Sequence, residues 1–138
     1  MEKLTNKDLI GLLNGIQTME QKAYAEIEEI KPTVLHKLIR NRKRVVDKLN
    51  VFEDSRIAMV EELGKRNKSG ELVVKDNVVQ FNKKKQEEFS SRLQKLMFEE
   101  VEVDFDQFGA EELEDSKLAC CPKENQFLPI VMEFLVKE

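Results

Sequence analysis

The stretch TVLHKLIRNRKRVVDKLNVFEDSRIAMVEELGKRN runs from Thr33 to Asn67 with no proline and a single late glycine, Gly64. Proline is the residue that most strongly breaks a helix. Its absence, with Leu35, Leu38, Arg42, Val45, Leu49, Phe52, Arg56, Met59 and Leu63 spaced by alternating threes and fours, predicts one long helix over 33–63. The spacing is heptad-like, a coiled-coil signature, with arginine at two core-type positions. At 1.5 Å per residue such a helix is ~45 Å long. A chain of 138 residues points to one domain, and so long a helix must pack along another helix or another subunit.

The flanking segments show what covers it. Thr5 caps a helix over 6–20, with Asp8 three residues on as in a capping box, and Leu9, Leu12, Leu13, Ile16 and Met19 on one stripe. In QKAYAEIEEIKP, Tyr24, Ile27 and Ile30 recur every third residue, which favours helix, while Pro32 is compatible with a short strand or a linker. Gly64 reads as the stop of the long helix. Two β-branched runs, Leu72-Val73-Val74 and Val78-Val79, flank Lys75-Asp76-Asn77 and predict a β-hairpin over 71–81. Asn82 caps a helix over 82–100 with Phe89, Leu93, Leu96 and Met97 on one face, antiparallel to the long helix. Val101, Val103 and Phe105 then alternate with Glu102, Asp104 and Asp106, a half-buried strand over 101–106. FGAEELEDSKL predicts a short helix broken or capped by Gly109. Pro129 suits the first turn of a C-terminal helix over 129–137. Five glycines and three prolines are too few for a loop-rich all-β protein. The expected fold is mainly α with a small β element: a long antiparallel helical hairpin, an N-terminal helix and short strands in one domain, 1–138.

Several function classes lack their chemistry here. No phosphate-binding glycine loop, dinucleotide fingerprint or nucleophile elbow occurs. No apolar run approaches the ~20 residues of a membrane span, and MEKLTNKDLIGLLNGI lacks the apolar core and cleavage site of a secretory leader. The expectation is a soluble protein of a reducing cytosol, with no membrane partner and no cofactor. The adjacent Cys120 and Cys121 have no second ligand pair for zinc, and a disulfide between neighbours would be strained. They read as small apolar residues beside a turn closed by Pro122. His36, the one histidine, has no nucleophile near it in sequence and reads as a surface residue. No catalytic or metal-ligating residue is assigned.

Charge is segregated although the net charge is only −4. Between Lys31 and Asn50 seven basic residues face one acidic residue, and between Glu99 and Asp115 nine acidic residues face none. On a helix Lys37, Arg40 and Arg44 line one side, with Arg42 near the apolar seam. Phosphate could bind there, although no stacking aromatics are interleaved. The same face could be solvated, or could pair with the acidic segment within the chain or between subunits.

The order LTNKDLIGLLNGI, IRNRKRVVDKLNVFEDSR, glycine turn and FNKKKQEEFSSRLQKLMFEEVEVDFDQF resembles a family of small, mostly uncharacterised bacteriophage and prophage proteins. The resemblance spans about Leu4 to Phe108, including a VEVDI-like acidic strand, and the part containing LACCPKENQF departs from it. It implies a phage-encoded accessory protein in the host bacterial cytoplasm or associated with the virion, and it supplies no catalytic residues. With the charge pattern, it favours a non-enzymatic protein that binds a phage structural or host protein as a homo-oligomer. The alternative is a nucleic-acid or phosphate-ligand module on the face of Lys37, Arg40, Arg42 and Arg44. In either case Cys120→Ser with Cys121→Ser should leave binding intact and at most lower the melting temperature. Loss of binding in a folded double variant would give the pair a functional role.

Overall fold

The computed structural model describes residues 2–25, 32–109 and 128–137. In chain order these form β1 (Glu2–Thr5), α1 (Asn6–Ala25), α2 (Pro32–Leu63), β2 (Val74–Lys75), β3 (Val78–Val79), α3 (Lys83–Met97), β4 (Glu100–Val103), β5 (Phe108–Gly109), α4 (Leu128–Leu135) and β6 (Val136–Lys137). The fold is mainly helical with small β elements. The predicted helix over FGAEELEDSKL and the LACCPKENQF turn lie outside the described residues, apart from Phe108 and Gly109, which form β5.

Two compact units are present, one built from 1–49 with 100–138 and one from 50–99. Helix α2 contributes to both, so no composition shift or linker marks the boundary in the sequence.

In the first unit Thr5 ends β1 and starts α1 by a reciprocal cap. The Asp8 N–H donates to Thr5 Oγ1 and the Thr5 N–H to Asp8 Oδ2, both at 3.1 Å. Two amide groups left over at the strand–helix junction are thereby satisfied. Helix α1 runs to Ala25, five residues beyond the expected end at 20. Strand β1, which the sequence did not reveal, pairs antiparallel with β4, from Glu2 opposite Val103 to Thr5 opposite Glu100. That pairing takes Glu100 into a strand, and α3 ends at Met97 rather than at 100. Alternation along 101–105 holds: Val103 and Phe105 are buried, and Glu102 and Asp104 are exposed. The strand itself stops at Val103, short of the expected 106.

The core of this unit joins Leu4, Leu9, Leu12, Ile16 and Met19 to Val34, Leu38 and Val45 of α2. Phe105, Phe108, Val131 and Leu135 complete it from the C-terminal side. Helix α4 stops at Leu135, where a helix to 137 was expected. Val136 and Lys137 instead pair in parallel with Phe108 and Gly109. The Gln107 side-chain amide donates to the Phe134 carbonyl at 3.1 Å, occupying an acceptor at the helix end.

In the second unit α3 returns beside the distal half of α2, and Arg92 donates to Glu62 at 2.8 Å. Asn82 caps α3 by accepting the Lys85 N–H at 3.0 Å. The hairpin forms as expected, shortened to β2 and β3. Asp76 and Asn77 both have positive φ, 53° and 64°, which is the two-residue turn whose twist matches a hairpin. Behind it, Lys65 N–H donates to Gln80 O, Val73 N–H to Lys65 O and Gln80 N–H to Val73 O, so three segments share one hydrogen-bonded tip. Phe81 and Phe89 stack with centroids 4.9 Å apart.

Gly64 does end α2, but by close approach and not by a left-handed turn. A Cβ there would lie 2.6 Å from Leu72 Cδ2 and 2.7 Å from the Val60 carbonyl oxygen. Backbone cannot yield as a side-chain tip can. Gly64→Ala should therefore lower stability by about 1–3 kcal/mol, the usual cost of overpacking. Urea denaturation would check this, and an unchanged midpoint would refute the close-approach account.

Candidate functional site

The basic row of α2 is built by helical spacing: residues 37, 40, 41 and 44 recur at steps of three and four on one side. Along it lies the segment 104–109. Asn41, completely buried, holds the backbone of residue 106 from both ends. Its Nδ2 donates to the Asp106 carbonyl at 2.9 Å, and its Oδ1 accepts the Asp106 N–H at 2.8 Å. A side-chain amide here does the work of a neighbouring strand.

The Asp106 carboxylate turns back to the same helix. Arg40 Nε donates to Oδ2, and Arg44 Nη1 donates to Oδ1 at 2.9 Å. Lys37 Nζ donates to the Gln107 carbonyl at 2.9 Å and sits 5.5 Å from the centre of the Phe108 ring, a cation–π distance. Arg42 points elsewhere, donating to Glu20 of α1 at 2.8 Å. Glu20 is nearly buried, so this pair joins the two helices at the margin of the core.

Every member of the predicted basic face thus has an intramolecular partner. Of the predicted alternatives, the pairing of basic helix and acidic segment within one chain is observed, with Asp106 as the acidic member. Glu102 instead lies 3.9 Å from Lys3 across the β1–β4 pair. The seam also differs from expectation. Val34, Leu38, Asn41 and Val45 are the fully buried positions, Leu35 is half-buried, and Arg42 lies at the flank. Sequence reading missed Asn41 and Glu20. The signal for Asn41 was present: it falls three residues after Leu38 and four before Val45, a polar residue in an apolar row.

His36 is exposed. Among the described residues no group of three or more His, Cys, Asp or Glu could hold a metal ion, and no helix is long and apolar enough to cross a membrane. A groove of about 440 Å³ lies between α1 and α4, lined by Ile10, Gly11, Asn14, Pro129 and Ile130, with Asp8, already engaged in its cap, at the edge.

The second unit offers a different kind of surface. Only Phe52 and Leu63 are buried in it, and α3 contains no buried residue. Phe89, Leu93, Leu96 and Met97 are half-buried, as are Met59, Val60, Leu72, Val73 and Val79. Val51 and Ile57, 66% and 47% exposed, project from the outward side of α2.

Comparison with protein-family models, with curated proteins and with solved structures finds no match to this chain.

The two guanidiniums, Arg40 foremost, hold the Asp106 carboxyl below the usual carboxylate range. A carboxyl depressed in the folded state adds stability above its unfolded pKa of about 4, and that stability is lost as pH falls through the folded value. Asp106→Asn should therefore reduce stability at neutral pH and flatten its dependence on pH below about 4. Asn41→Ala should cost more, about 1–3 kcal/mol for each backbone group left unpaired. Urea titrations at several pH values would check both. Equal slopes for wild type and Asp106→Asn would remove the carboxylate from the account.

Proposed function

We propose that the protein is a non-enzymatic interaction module that binds a protein partner through the arm formed by residues 50–99. One observation carries the reading: the arm is a two-layer structure whose apolar side chains are mostly half-covered. Phe52 and Leu63 are its only buried members among the described residues, against thirteen in the core of the first unit. Helices and sheets bury an apolar face against another layer, and the arm supplies too few layers to do so. A partner protein would provide the next one. Val51, Ile57 and Ala58 are exposed apolar residues on the outward side of α2, and Asp54 and Glu61 share that row with them.

The phage setting, with a virion component or host protein as partner and the host cytoplasm as compartment, rests on the sequence resemblance. The alternative, a phosphate-bearing ligand on Lys37, Arg40, Arg42 and Arg44, has less support, because Arg40 and Arg44 already hold an internal carboxylate.

Val51→Asp with Ile57→Asp changes exposed positions and should leave the melting temperature within a few degrees of wild type. Capture of the partner from host or infected-cell extract by immobilised protein should fall at least tenfold in the variant. Undiminished capture of the same protein by the folded variant would refute the arm as the docking surface.

A further inference from the structure

The arm is charged in a way that selects one partner. Its tip, residues 64–85, carries seven basic and two acidic residues. Its shaft, residues 50–63 and 86–99, carries seven acidic and three basic residues. The two poles nearly cancel, with ten basic residues against nine acidic in the whole arm. A surface with opposite poles and almost no net charge is complementary to itself when one copy is reversed.

The outward row of α2 fits that geometry. Helical spacing puts Val51, Asp54, Ile57, Ala58 and Glu61 within about a third of the circumference. This row lies opposite the side that buries Phe52 and Leu63. Lys65, Arg66 and Lys68 follow where the helix ends. All three are exposed, although Arg66 is tied to Glu61 and to the Gly70 carbonyl. Parallel pairing of two such rows would set tip on tip and shaft on shaft, like charge on like. Antiparallel pairing that sets the basic run 65–68 of each copy beside Asp54 of the other centres the two-fold axis near residue 60, with Ile57 of both copies close to the axis and Val51 at its outer ends, beside the tip of the other copy.

We infer that the partner of the arm is a second copy of this chain, docked antiparallel about a two-fold axis along the outward row of α2. The inference rests on the arm being a docking surface, and it names the occupant. A two-fold interface uses the same patch on both copies and closes on itself, so it yields a dimer and not a filament. The exposed charges contribute little affinity individually. They set orientation and exclude the parallel arrangement.

The test is charge exchange on the full chain, followed by sedimentation at micromolar concentration. Wild type should sediment as a dimer at physiological salt and dissociate as salt rises. The tip variant Lys65→Glu with Lys68→Glu and the shaft variant Asp54→Lys with Glu61→Lys should each weaken dimerisation at least tenfold. Mixed in equal amounts, they should recover a heterodimer. Circular dichroism of each variant keeps a folding defect separate from a docking defect. A wild-type monomer, or folded variants that dimerise as wild type does, would overturn the inference. If wild type is monomeric while capture of another protein still depends on Val51 and Ile57, the arm remains a docking surface and only its occupant is wrong. If capture is also indifferent to those residues, the broader reading fails with it.

Discussion

The hold of Asn41 on the backbone of residue 106 is the contact on which the first unit depends. Segment 104–109 follows the last residue of β4, and among the described residues no strand lies beside Asp106 to satisfy its amide and carbonyl. A buried backbone pair without partners is costly, and the Asn41 side chain supplies both partners at once. With residue 106 fixed, Phe105 and Phe108 are held in the core on either side of it. Gln107 can then reach the end of α4, and Phe108–Gly109 can receive β6. The arginines act outside this hold. They give Asp106 a charged partner at the half-exposed rim, where ion pairs orient more than they stabilise.

Local chemistry was legible in the sequence. The caps at Thr5 and Asn82 act within three residues and appear where the pattern placed them. Continuity of α2 followed from the lack of a breaker, and the hairpin turn from two residues that tolerate positive φ. What the sequence concealed is long-range. Strand β1 is four residues whose partner lies nearly a hundred positions away, and neither member carries a mark of the other. Helix α4 ends where it does because Val136 and Lys137 have β5 to pair with. The periodic pattern of 128–137 says nothing of that.

The basic row shows the same limit at the level of function. Seven cations in twenty residues describe a nucleic-acid site and an internal clamp equally well. The clamp itself is visible only in the position of Asp106. Asn41 is silent in the sequence for a like reason: a polar residue in an apolar row declares its role only through its partners, here the backbone of residue 106. Arg42 lies at the flank of the buried row and not within it, for a geometric reason. Seven residues of an α-helix fall about 20° short of two full turns, and over several turns the buried line moves to the neighbouring position.

The division of the chain has a consequence for the order in which the protein can form. Residues 50–99 are contiguous, so every contact of the second unit is available once residue 99 has left the ribosome. The first unit is interrupted by that insertion. Its core needs Leu4 and Leu9 from the beginning of the chain and Val131 and Leu135 from near the end. Contacts so distant close slowly and cannot close during synthesis of the middle. The nascent chain therefore carries a complete second unit while the apolar stripe of α1 has only Val34, Leu38 and Val45 of α2 to pack on and lacks its C-terminal cover. During that interval Leu9, Leu12, Ile16 and Met19 are the residues a chaperone would meet.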